Sequence, residues 1–117
     1  MREFNPFGII IEALEPEEGT IEFSLDPGNL YEENIDRVLI FRFKVKEVVF
    51  TLERMGKYLL RFIRRGPQIQ EGVTEVNIMP FKEKGDLLIA LTWSPKGDAM
   101  YVSSAEEDKP IAGYSEE

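Results

Sequence analysis

A chain of 117 residues with 43% hydrophobic side chains suffices for one globular core and is too short for two domains of ordinary size. Without cysteine it has no disulfide, thiolate metal site or thiol nucleophile, and without histidine it lacks the commonest general base and the commonest zinc ligand. The net charge of −8 argues against nucleic-acid binding, no apolar run approaches the roughly 20 residues of a membrane span, and MREFNPFG lacks the apolar core of a secretory signal, so a cytoplasmic location is expected.

In chain order, Phe7 to Leu14 (FGIIIEAL) reads as a first strand, and Glu15 to Gly19 as a turn punctuated by proline and glycine. From Thr20 to Leu25, Ile21, Phe23 and Leu25 alternate with Thr20, Glu22 and Ser24, the pattern of a strand with one buried and one wet face. Asp26-Pro27-Gly28-Asn29 ends it, 30–35 reads as loop, and Val38 to Val45 resumes the alternation, with Phe41, Phe43 and Val45 set against Arg42 and Lys44.

Residues 45–65 fit two patterns. Val45, Val48, Val49, Leu52, Leu59, Phe62 and Ile63 fall at helical spacing, but Gly56 near the centre costs about 1 kcal/mol in a helix interior, and the segment is rich in Val, Phe, Thr, Tyr and Ile. The favoured reading is a hairpin in which Val48, Phe50 and Leu52 share one face, Met55 to Lys57 turn, and Tyr58, Leu60 and Phe62 return on the same side. Val73 to Met79 gives a further strand, and Lys82 to Asp86 a polar turn. Leu87 to Ser103 (LLIALTWSPKGDAMYVS) carries the clearest hairpin signature, two period-two runs joined by Ser-Pro-Lys-Gly-Asp. Beyond Ser104 the chain is acidic, with Pro110 to Tyr114 able to add a short strand. The organisation expected is one domain over 1–104 and an acidic tail over 105–117, in an all-β sandwich or barrel.

Five pieces in this order, GTIEFSLDPG (19–28), RVLIFRF (37–43), EVVFTLERMGKYLLRFI (47–63), the strand at 73–79 and LLIALTWSPKGDAMYV (87–102), resemble the concanavalin A-like, laminin-G-like sandwich of lectins and glucanases. The resemblance implies two antiparallel sheets with jelly-roll connections and a glycan or protein ligand held on a sheet face. This chain departs from the pattern in having Ser103-Ser104 where the family turns with Asp-Gly, and in its shortness. A trimmed sandwich leaves a sheet edge as a template for another chain, so a homodimer is a further expectation.

The resemblance does not extend to catalysis. The superfamily's enzymes place acids two residues apart on one strand, and hydrolysis needs two carboxylates about 5 to 9 Å apart. Neither Glu12 with Glu15 nor Glu47 with Glu53 has that spacing, so no enzymatic activity and no cofactor are expected. For a glycan, the aromatics of interest are Trp93, Tyr101, Tyr58 and Tyr31, with Tyr101 the candidate contact because Trp93 alternates in step with Leu87, Ile89 and Leu91 and belongs to the core. Asp26, Asn29, Asp86 and Asp98 offer oxygens that could gather calcium, although turn formation accounts for all four.

For an anionic ligand, residues 37–65 hold nine Lys or Arg against two acids, a local +7. Arg42, Lys44, Arg61 and Arg65 would face outward together if their apolar neighbours face inward. Ion pairs with Glu22, Glu53 or Glu75 are the competing use of these cations.

Overall fold

The computed structural model describes residues 15–28, 30–31, 36–67, 69 and 71–115. It is all-β: β1 (Gly19–Leu25), β2 (Arg37–Val45), β3 (Val48–Met55), β4 (Leu59–Arg65), β5 (Gly72–Asn77), β6 (Leu87–Ser94), β7 (Gly97–Ser104) and β8 (Glu107–Tyr114), with a short 3-10 turn at Met79–Phe81 after β5. The strands form two antiparallel four-stranded sheets, β1-β6-β7-β8 (the first sheet) and β2-β3-β4-β5 (the second). Packed face to face, they make the expected sandwich.

The two-sheet sandwich agrees with the resemblance, and the strand order within the sheets does not by itself establish jelly-roll connections. The second sheet is a plain meander, and β1 lies beside β6, the first strand of the β6-β7-β8 meander. Short tight turns after β2, β3, β6 and β7 join neighbouring strands as hairpins, while the longer connection from Asn77 to Leu87 carries the chain from the second sheet to the first. The strand expected at Phe7 to Leu14 lies outside the described residues. The strand expected at 110–114 begins earlier, at Glu107, and is the fourth member of the first sheet.

Over 45–65 the hairpin prevails over the helix, and Gly56 is the reason. Its φ of +60° lies in the left-handed region, where glycine bears no steric penalty, and its N–H donates to the Asp36 carbonyl at 2.9 Å. The chain therefore reverses after Met55, and Phe50, Leu52, Leu60 and Phe62 on the core face of the two strands are fully buried.

The sheets join through aromatic rings. Phe41, Phe43 and Phe50 follow one another at centroid spacings of 5.2 and 5.1 Å, and Phe50 meets Trp93 of the first sheet edge-on at 4.8 Å. Phe23 of β1 reaches Phe41 at 6.0 Å near the β1/β2 side. On the opposite side the sheets meet backbone to backbone: a Cβ at Gly113 of β8 would collide with the Glu75 carbonyl of β5. Only a residue without a side chain allows that approach.

Gly113→Ala is accordingly expected to lower the unfolding free energy in urea by about 1–3 kcal/mol. Ala112→Ser, on the solvent face of the same strand, should stay within about 0.5 kcal/mol of wild type. Equal midpoints for the two variants would contradict the closeness of β5 and β8.

Candidate functional site

Period-two alternation gives each sheet one face for the core and one for solvent, and the two solvent faces differ in chemistry. On the second sheet the register places Arg42 beside Thr51, Ile63 and Val73 in one row, and Glu53, Arg61 and Glu75 in another. The four cations singled out in the sequence, Arg42 and Lys44 on β2 and Arg61 and Arg65 on β4, therefore do share one face. Acids accompany them. Arg61 pairs with Glu75 and Arg65 with Glu71, each at 2.6 Å, and Arg37 pairs with the buried Glu53 at 2.6 Å. Arg42 donates from Nε to Thr51 Oγ1 at 3.4 Å and has no carboxylate within ion-pair reach among the described residues. Of the competing partners expected, Glu53 and Glu75 are used on this sheet, while Glu22 lies on the other.

Tyr101 stands apart from these cations, on the solvent face of the first sheet. There one row reads Glu22, Ala90, Tyr101, Ala112, and the next reads Thr20, Thr92, Ala99, Tyr114. Ser24, Leu88 and Ser103 continue the face. Tyr101 and Tyr114 meet edge-on, with centroids 6.1 Å apart and planes at 88°, and hydrogen bonding to Tyr114 raises the Tyr101 phenol above its ordinary pKa. Tyr114 is 66% exposed and Leu88 43%. Glu22 is the one charged residue among these.

The other sequence candidates are structural. Trp93 is 1% exposed and donates from Nε1 to the Glu15 carbonyl at 2.8 Å. Tyr31 and Tyr58 flank the core and pack against each other at 6.2 Å. The Tyr31 hydroxyl donates to the Ile78 carbonyl at 3.0 Å, and burial pushes its pKa up to about 12. Asp26 accepts from the Gly28 N–H at 3.0 Å, closing its own turn. Asn29 lies outside the described residues, Asp86 is exposed, and no group of three or more acids that could hold a metal occurs among the described residues.

Asp98 is not the exposed turn residue that its Ser-Pro-Lys-Gly-Asp setting suggests. With Arg64 it forms a buried ion pair at the end of the sandwich, Nη2 to Oδ1 at 3.0 Å and Nε to Oδ2 at 3.2 Å, the side chains 6% and 1% exposed. The guanidinium also donates from Nη1 to the carbonyls of Pro16 and Glu17, at 2.9 and 3.4 Å, and from Nη2 to that of Ser94 at 3.1 Å. One side chain thus ties β4 to the segment entering β1 and to the β6-β7 hairpin. Burial pushes the Asp98 carboxyl above the ordinary carboxylate range, against the hydrogen bond and charge of Arg64, which pull it down. Beside this pair opens a cavity of about 510 Å³ whose wall includes Val48, Ile69, Pro95 and Gly97. Strand parity held the signal for both residues: Arg64 falls in step with Leu60 and Phe62, and Asp98 with Met100 and Val102.

No family model, no curated protein and no solved structure matches this chain.

Arg64→Met strands the Asp98 carboxylate and three carbonyls, and should cost about 3–5 kcal/mol. Asp98→Asn retains an acceptor for Nε and removes a carboxylate that burial disfavours, so its cost at neutral pH should be smaller, about 1–2 kcal/mol. Because the folded pKa of Asp98 lies above the unfolded value of about 3.9, ionisation costs stability at neutral pH, and that cost is relieved as pH falls through the folded pKa. Chemical denaturation at stepped pH should therefore show wild type gaining on Asp98→Asn upon acidification toward about pH 4. A gap that widens in the other direction would contradict this ordering.

Proposed function

We propose that this protein is a non-catalytic recognition module that binds a protein surface through the solvent face of the first sheet. The observation that carries the proposal is that, among the described side chains in the three rows of that face, Glu22 alone is charged, in a chain of which 31% is Asp, Glu, Lys and Arg. The centres of protein interfaces are depleted in charge and enriched in aromatic side chains. Tyr101, Tyr114 and Leu88 standing above Ala90, Ala112 and Thr92 give that composition. Small side chains around exposed rings also leave shallow relief into which a partner can pack.

The solvent face of the second sheet supports an anion-binding role less well, since Arg61, Arg65 and Arg37 each have a carboxylate partner. A glycan platform is favoured less too, because an edge-on tyrosine pair offers one ring face where stacking on successive sugars uses a flat array. Self-association is the second reading. The first-sheet face bears little of the net −8, so two copies meeting there escape most of their mutual repulsion.

The decisive comparison sets Leu88→Lys/Tyr101→Glu against Arg42→Glu/Lys44→Glu. The first pair should abolish partner retention in a cross-linking pull-down, or concentration-dependent mass in sedimentation, while leaving the thermal midpoint within a few degrees of wild type. The second pair should change neither. Loss with the second pair alone, or saturable binding on a glycan array that survives the first pair, would overturn the assignment to this face.

A further inference from the structure

We infer that the cavity beside the Arg64–Asp98 pair binds an aliphatic cation, an ammonium or guanidinium group carried on a hydrocarbon stem. The site is separate from the solvent face of the first sheet and stands or falls independently of the role proposed for that face. At about 510 Å³ the cavity lies within the range of small-ligand sites, roughly 300–1,000 Å³.

The choice of ligand follows from which hydrogen-bonding groups remain uncommitted. An arginine in a cavity wall ordinarily suggests an anion, but every nitrogen of Arg64 is engaged by Asp98, Pro16, Glu17 or Ser94. Four of its five N–H groups are used and its charge is met by Asp98, so a carboxylate or phosphate would find a single Nη2 N–H and no unbalanced positive charge. Uncommitted acceptors are more numerous. Glu17 and Glu47 stand exposed at the rim, and neither carboxylate has an ion-pair or hydrogen-bond partner among the described residues. Lys46 and Glu71, also at the rim, are occupied with Glu15 and Arg65. Within the wall, the buried Asp98 Oδ1 lacks a hydrogen bond, because its contact with Arg64 Nη2 is an ion contact without an N–H aimed at the oxygen. Val48, Ile69, Pro16 and Pro95 supply apolar surface for the stem.

Such a group can arrive as a free amine or as the side chain of an arginine or lysine in a peptide. Calorimetric titration of the full chain with agmatine and with the blocked tripeptide Ac-Gly-Arg-Gly-NH2 separates these sources, and the citrulline tripeptide of the same shape is the neutral control. Saturable one-to-one binding of either cation, at least about tenfold tighter than citrulline, is the expected result. Glu17→Gln/Glu47→Gln should weaken it by about tenfold with an unchanged thermal midpoint, whereas Glu22→Gln, on the first-sheet face, should leave it as in wild type. The inference is overturned if neither cation binds saturably, if citrulline binds as well as arginine, or if Glu22→Gln weakens binding as much as the rim variant.

Discussion

The edge-on contact of Phe50 with Trp93 is the interaction on which the sandwich turns. Each sheet has one apolar face, and neither face can be covered within its own sheet. The Phe41, Phe43 and Phe50 rings carry the second sheet's apolar surface inward to the Trp93 indole, which belongs to the first. Trp93 also satisfies its one polar atom at the rim of the core, where Nε1 reaches the Glu15 carbonyl. That bond brings the chain entering β1 to the end of the barrel of rings. Gly19 then passes so close to the indole that a Cβ there would lie 2.6 Å from the ring. The large aromatic and the missing side chain are two halves of one packing solution.

Charge is sorted as strictly as hydrophobicity. On the second sheet Arg37, Arg61 and Arg65 are each matched with a glutamate, an arrangement that adds little stability per pair but keeps that face solvated. The first sheet's solvent face is left nearly neutral. At the end of the sandwich a third environment appears, where Arg64 and Asp98 give up solvent in return for tying three segments together. A buried pair of this kind is a modest source of stability and a strong determinant of which segments come together, since any alternative packing would strand its charges.

Much of this was legible in the chain, for a physical reason: period-two alternation over Thr20 to Leu25, Val38 to Val45 and Leu87 to Ser103 reports directly which side of a strand is buried. The 48–65 hairpin was also legible, because Gly56 could be read as a turn against the helical spacing around it. Connectivity was not. Alternation states which face is buried and is silent about which strand lies beside which, so the orders β1-β6-β7-β8 and β2-β3-β4-β5 had no signal in the periodicity. The 3-10 turn at Met79–Phe81 was missed because Pro80 read as the end of a strand and gave no hint that Phe81 would be buried next to it. Arg64 and Asp98 were masked by their types: charge argued for solvent and a turn motif argued for exposure, while parity alone pointed inward.

The placement of β1 sets an order on how the molecule can form. Hairpins of the second sheet, and of β6 to β8, join neighbours through short connections and close small loops. The β1-β6 pairing instead matches Gly19 with Trp93 and Leu25 with Leu87, spanning the whole of the second sheet's meander. Loop-closure entropy makes this the costliest of the described pairings to initiate. Until it is made, one edge of β6 is unsatisfied and the Trp93 ring lacks the glycine that covers it, so a chain with both meanders built and β1 still free exposes a strand edge and an aromatic face at the same place.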